Sequence, residues 1–210
     1  MIESYVTLTD AFAEIVILRS RFLAYVYHCE SEEECTERLA ALRKKHYDAT
    51  HVCYAYCADI EGRTVRFSDD GEPSSTAGAP ILSVINKGGL RQVLIAVVRY
   101  FGGTKLGAGG LVRAYTEAAT AGVSNAKEIN MRLCSVWAAE TDYNMYARIN
   151  AAVPRMGGKI VTISYGETVA FEAVFPAGTD RTEALTDLTG GKTEFIKRGD
   201  RYEIYQTYTA

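Results

Sequence analysis

The chain has 210 residues, 48% of them apolar and 23% charged, with a formal net charge of −3. These proportions exclude wholesale disorder, and the length suits one large domain or two small ones. No apolar run reaches the roughly 20 residues of a membrane helix, and Glu3 and Asp10 lie where a secretory signal would be apolar, so a cytoplasmic protein is expected.

Apolar alternation over Glu14–Leu18 and Phe22–Tyr27 predicts a hairpin. Ser31-Glu32-Glu33-Glu34 is a capping box that starts a helix running to about Lys45. His51–Cys57 and Arg63–Phe67 follow as strands, and then a loop over Ser68–Thr76. Ala77–Lys87 reads as a helix with Thr76 as its cap and Gly88-Gly89 as its stop. Leu90–Val98 is apolar on both faces and should be a central strand, while FGGTKLGAGG leads into a long helix over Gly110–Lys127.

The second half begins with a strand at Leu133–Glu140 and a helix capped by Asp142. Strands Ile160–Tyr165 and Val169–Phe175, a helix from Asp180-x-x-Glu183 to Gly190-Gly191, and a final hairpin at Gly199-Asp200 complete it. The order β-α-β-β-α-β is ferredoxin-like. The fold class expected is therefore α+β in two domains, 1–130 and 131–210, joined near residues 128–134.

Five cysteines (Cys29, Cys35, Cys53, Cys57, Cys134) show no framework spacing and read as small buried residues of a reducing compartment. His51, Cys53 and Cys57 alternate along one strand, from which a single metal ion cannot easily collect all three. No metal and no cofactor are expected.

Two loops carry the candidate chemistry. Asp69, Asp70 and Glu72 around Gly71 form an acidic turn, a partner-binding loop or a hard-cation site. In the other, Gly102, Gly103, Gly107, Gly109 and Gly110 sit between a buried strand and a helix start, with Arg99, Lys105 and Arg113 around them. A helix N-terminus with free N–H groups favours anions, whereas close strand–helix packing with an Arg113–Glu117 surface pair is the structural alternative. Residues 73–116 hold five cations and no Asp or Glu, an asymmetry within an acidic chain. Neither nucleotide fingerprint is present, and no nucleophile has an evident base, so no catalytic residue is assigned.

Three blocks, Asp48–Tyr56, Phe67–Gly78 and Arg99–Tyr115, resemble in their order the IMPACT family, above all its bacterial, YigZ-type members. The resemblance covers about residues 1–127. It implies a two-layer N-terminal domain, of a fold shared with ribosomal proteins and GHMP kinases, and a C-terminal domain similar to one of elongation factor G. Ser75 stands where the family commonly has Gly. The resemblance further implies regulation of translation by binding: eukaryotic members restrain an initiation kinase by competing for its activator, and bacterial members are associated with nucleic acid or the translation apparatus. The expected partner is RNA, the ribosome or a translation-control protein. It would be engaged through Arg99, Gly102, Gly103, Lys105, Gly107, Gly109, Gly110 and Arg113 together with Asp69, Asp70, Glu72 and His51. The alternative is an enzyme or sensor that holds a small phosphorylated ligand at the Gly-rich helix start.

Overall fold

The structure is a computed structural model and describes residues 2–205. The chain divides into two compact units, one holding residues 4–130 and the other the residues from 131 onward.

The first unit contains β1 (Ser4–Leu8), β2 (Ala11–Ile17), β3 (Ser20–His28), α1 (Glu32–Lys45), β4 (His51–Cys57), β5 (Val65–Ser68), α2 (Gly78–Lys87), β6 (Val93–Tyr100) and α3 (Gly107–Asn125). Its sheet has the antiparallel order β2-β3-β6-β4-β5, with β6 central as its unbroken apolar run predicts. On one face Phe22, Ala24, Val26, Cys53, Ala55, Ile95 and Val97 pack beneath Ile81 and Ile85 of α2 and Leu111, Ala114 and Ala118 of α3. The other face sets Leu23, Val52, Leu94 and Ala96 against Cys35, Leu39 and Leu42 of α1, which adds a layer to the expected two. Burying apolar area on both sides of one sheet is the main drive for this unit, at about 25 cal/mol per Å².

Helix boundaries follow local chemistry. Ser31 Oγ accepts the Glu34 N–H at 3.2 Å, and Glu34 reaches back to the Glu30 N–H at 2.8 Å, so the reciprocal cap of α1 forms. Thr76 does not cap α2. Its hydroxyl turns to the Pro73 carbonyl, and the cap is Asp69, nine residues upstream, whose Oδ1 accepts from Ala77 and Gly78 at 2.9 and 2.8 Å. Sequence spacing cannot find a cap supplied from a preceding loop. β1 also went unread: Ser4–Leu8 is short, and it joins the unit by accepting the Arg91 N–H on the Val6 carbonyl at 2.9 Å.

The second unit holds β7 (Glu128–Thr141), α4 (Tyr143–Ala152), β8 (Lys159–Tyr165), β9 (Val169–Pro176), α5 (Thr182–Thr189) and β10 (Phe195–Ile204), the division from the first unit falling inside β7. Its strand order β10-β7-β9-β8 is ferredoxin-like. Trp137, Phe171, Ala173 and Phe175 meet Ile149 and Val153 behind α4 and Leu185 of α5. Asp142 caps α4 through the Asn144 and Met145 N–H groups. The hairpin expected at Gly199-Asp200 is absent. β10 is one strand paired along β7, with a bulge between Lys197 and Gly199, and Gly199 takes φ +123° there. A Gly-Asp pair serves a bulge as readily as a turn.

Gly102 shows why the Gly-rich loop has its composition. A Cβ there would collide with the backbone of Arg19 and Ser20, whereas one on Gly109 would meet nothing within 4 Å. Gly102→Ala should therefore cost about 1–3 kcal/mol and lower the melting temperature by several degrees. Gly109→Ala, inside α3, should raise stability by about 0.5–1 kcal/mol. Calorimetry that finds the two variants alike contradicts this packing.

Candidate functional site

Strand register brings the site together. On β6 Arg99 pairs with Phe22 of β3 on one side and with His51 of β4 on the other, so the three side chains share one face. That face lies toward α3. The Phe67–Gly78 loop returns over the same end of the sheet and adds Glu72.

Arg99, expected to engage a partner, is turned inward instead; only 5% of it is exposed. Its Nη1 donates to Glu72 Oε1 at 2.5 Å and its Nη2 to Ser20 Oγ at 3.3 Å. The guanidinium stands over the rings of Phe22 and Phe101, 5.3 and 5.5 Å from their centroids. The physical reason is cost: a guanidinium inside the sheet end stays charged only with a carboxylate against it. Glu72 takes a second donor, the Tyr115 hydroxyl at 2.8 Å, and His51 Nε2 lies 3.8 Å from the same oxygen. Tyr115 is fully buried on α3, edge-on to Phe22 at 5.3 Å, and burial pushes its hydroxyl well above the ordinary tyrosine range. Cys53, beneath it, is pushed up to about 12 by burial, so it is a thiol and not a nucleophilic thiolate. All five cysteines are free and buried.

The acidic loop is turned inward. Besides capping α2, Asp69 accepts the Ser75 N–H at 2.8 Å. Asp70 accepts the Val52 N–H at 2.7 Å and two donors from Arg43 at 2.7 and 3.1 Å. Burial alone would raise both carboxyls, yet the backbone N–H groups on Asp69, and Arg43 with Val52 on Asp70, hold both below the usual carboxylate range. This is the turn chemistry among the three readings of the loop. Among the described residues no group of three His, Cys, Asp or Glu side chains is placed to hold a metal ion. Ser75 takes φ +62°, the left-handed conformation that explains a glycine preference at this position.

A cleft of about 370 Å³ opens beside this network, lined by Thr50, His51, Glu72, Pro73, Arg99, Phe101, Lys105, Leu106, Gly107, Ala108 and Leu111. It gathers His51, Glu72, Arg99, Lys105 and Gly107 from the expected site. Gly102 and Gly103 shape the loop instead, Gly103 at φ +83°. Gly109, Gly110 and Arg113 lie along α3 outside the cleft, and Arg113 turns its Nε to the Gly109 carbonyl at 3.2 Å rather than to Glu117. The five cations of residues 73–116 do not form one patch, since Arg91 precedes β6 and Arg99 lies within its far end. Tyr115, Ser20 and Phe101 went unassigned in the sequence. Tyr115 had a signal: four residues after Leu111 it falls on the inner face of α3, where a buried hydroxyl needs a partner.

At the mouth of the cleft α3 starts without a side-chain cap, and Leu106 stands at its N-cap position. The first N–H groups of the helix and the Lys105 ammonium are the donors there. Acceptors line the same cleft. His51 Nδ1 lies 2.8 Å from the Asp70 carbonyl, which can only accept, so Nδ1 donates and Nε2 is the nitrogen left toward Glu72, an acceptor whenever the ring carries one proton.

Acid should weaken the loop in a defined window. Asp69 and Asp70 titrate lower folded than unfolded. Their stabilisation is thus complete above the unfolded value of about 3.9 and is lost as pH falls through the lowered folded values. Asp69→Asn should lower the urea midpoint at pH 7, and its gap to the parent protein should narrow below about pH 4. A gap that stays constant down to pH 2.5 would show that the charge of Asp69 does not matter.

The Impact N-terminal domain family matches residues 18–123, a span that includes every residue of the cleft. The chain is 36% identical over 203 residues to the IMPACT family member YvyE of Bacillus subtilis, covering 95% of this chain and 93% of that protein. It is 29% identical over 184 residues to the IMPACT family member YigZ of Escherichia coli, covering 86% and 90%. A crystal structure described as that of a hypothetical protein superposes with a TM-score of 0.63 at 28% identity, covering 93% of this chain and 98% of the other. With half its length matching the domain and nearly all of it aligned to a bacterial member, the chain belongs to the IMPACT family.

Proposed function

We propose that this protein is a cytoplasmic regulator of translation that acts by binding, and that it receives an anionic group of its partner in the cleft at the start of α3. Family membership supports the process. The cleft supports the chemistry, and one observation carries it: α3 begins uncapped beside Lys105, whose ammonium has no partner among the described residues. The N-terminus of a helix adds about half a positive charge at that point. The acidic loop contributes through Glu72 alone, because Asp69 and Asp70 are consumed by the fold. The partner is the ribosome, RNA or a translation-control protein. A second reading, a sensor or enzyme for a small phosphorylated ligand, is favoured by the cleft volume of about 370 Å³, within the usual range for small-molecule pockets.

Capture from lysate with the parent protein and a Lys105→Ala/Arg113→Ala variant, each with and without RNase, tests the first reading. The variant should lose the partner while keeping the parent melting temperature, since both side chains are exposed. If RNA is held directly, each phosphate contact contributes about −0.7 to the salt slope, so Lys105→Ala should flatten it by about 0.7. Capture that survives RNase and fails in the variant identifies a protein partner. A variant that retains every partner at full affinity overturns the reading.

A further inference from the structure

The cleft carries acceptors as well as donors. All the donors recorded on Glu72 fall on Oε1, from Arg99 at 2.5 Å and Tyr115 at 2.8 Å. Glu72 is buried, with 8% of it exposed, yet it lines the cleft, and its Oε2 makes no hydrogen bond among the described residues. Beside it His51 presents Nε2, an acceptor once Nδ1 has donated to the Asp70 carbonyl. Two acceptors on one wall, one of them a carboxylate, suit a donor with several hydrogens. The same cleft holds the free N–H groups at the start of α3 and Lys105, which suit an anion. Pro73, Phe101, Leu106 and Leu111 supply the apolar lining.

We infer that the cleft binds a small ligand bearing both a protonated amine and an anionic group, with the amine held by Glu72 and His51 and the anion by the start of α3 and Lys105. This rests on the anion-binding reading above and names the rest of the ligand. Electrostatics separates this class from its neighbours. Arg99 and Tyr115 occupy only Oε1 of Glu72, so a bare anion would leave Oε2 without a donor, and a bare cation would meet the Arg99 guanidinium and leave Lys105 unpaired. A zwitterion leaves both ends matched, and every charge it brings into a partly dehydrated cleft has a partner. The shared chemistry has two sources: amino acids, whose anion is a carboxylate, and amino phosphates.

Titration calorimetry of the full chain tests this with leucine, N-acetyl-leucine, leucine methyl ester, O-phosphoethanolamine and inorganic phosphate. Binding of leucine or of O-phosphoethanolamine is expected, and which of them binds decides between carboxylate and phosphate. Removing the amine or the anion should weaken binding at least tenfold, and Lys105→Ala should do so several-fold. Glu72→Gln should erase the preference for the free amine. Because that change also strips Arg99 of its charge partner, His51→Asn serves as the second variant, leaving the ion pair in place and lowering affinity for the amine-bearing ligand alone. The inference is overturned if N-acetyl-leucine binds as well as leucine, if phosphate alone binds as tightly as O-phosphoethanolamine, or if neither zwitterion binds at millimolar concentration. In the phosphate case the anion-binding reading survives. A cleft that takes no anion, in a protein whose Lys105→Ala/Arg113→Ala variant keeps its partner, ends both.

Discussion

A guanidinium and a carboxylate 2.5 Å apart, Arg99 and Glu72, join the end of the central strand to the loop that precedes α2. Both are withdrawn from water, and a buried charge without its partner costs several kcal/mol. The neighbours follow from that requirement. Ser20 supplies an acceptor for the second guanidinium nitrogen and also takes the Gly102 N–H at 3.1 Å. Tyr115 crosses from α3 to donate to the same carboxylate oxygen, and Phe22 and Phe101 flank the guanidinium. The Gly-rich loop passes so close because Gly102 has no Cβ to strike the Arg19 backbone. The cleft is the space left beside this joint, and its polar character is set by which atoms the joint uses and which it leaves over.

The arrangement also separates structural from available charge. Asp69, Asp70, Arg43 and Arg99 are all spent on the fold, as helix cap, loop anchor and ion pair. What remains for a ligand is smaller: the second oxygen of Glu72, one nitrogen of His51, Lys105 and the first N–H groups of α3. A surface described only by its sequence charges would be misjudged in both sign and strength.

Much of the fold was legible because it rests on local patterns. The unbroken apolar run of β6, the Ser31 capping box, the Asp142 cap and the β-α-β-β-α-β order of the second unit each follow from a few neighbouring residues. What stayed hidden is non-local. The cap of α2 comes from Asp69, nine residues before the helix starts, and the partner of Arg99 is 27 positions away. At Gly199 the sequence leaves turn and bulge equivalent, and pairing with β7 decides for the bulge. In the site, residue types picked out a set of which His51, Glu72, Arg99, Lys105 and Gly107 line one cleft. They did not show that Arg99 is paired inward, because burial of a charge depends on a carboxylate delivered by another segment.

A double-mutant cycle on Glu72→Gln and Arg99→Met, followed by urea denaturation at pH 7, tests the central role of the ion pair most directly. Each single change should cost about 3–5 kcal/mol, because it leaves a buried charge uncompensated. The double variant should cost less than the sum by about 1–3 kcal/mol, the coupling expected of residues in direct contact. Costs that add to within about 0.5 kcal/mol would contradict the account, for the two side chains would then be stabilised independently and the cleft would owe nothing to their pairing.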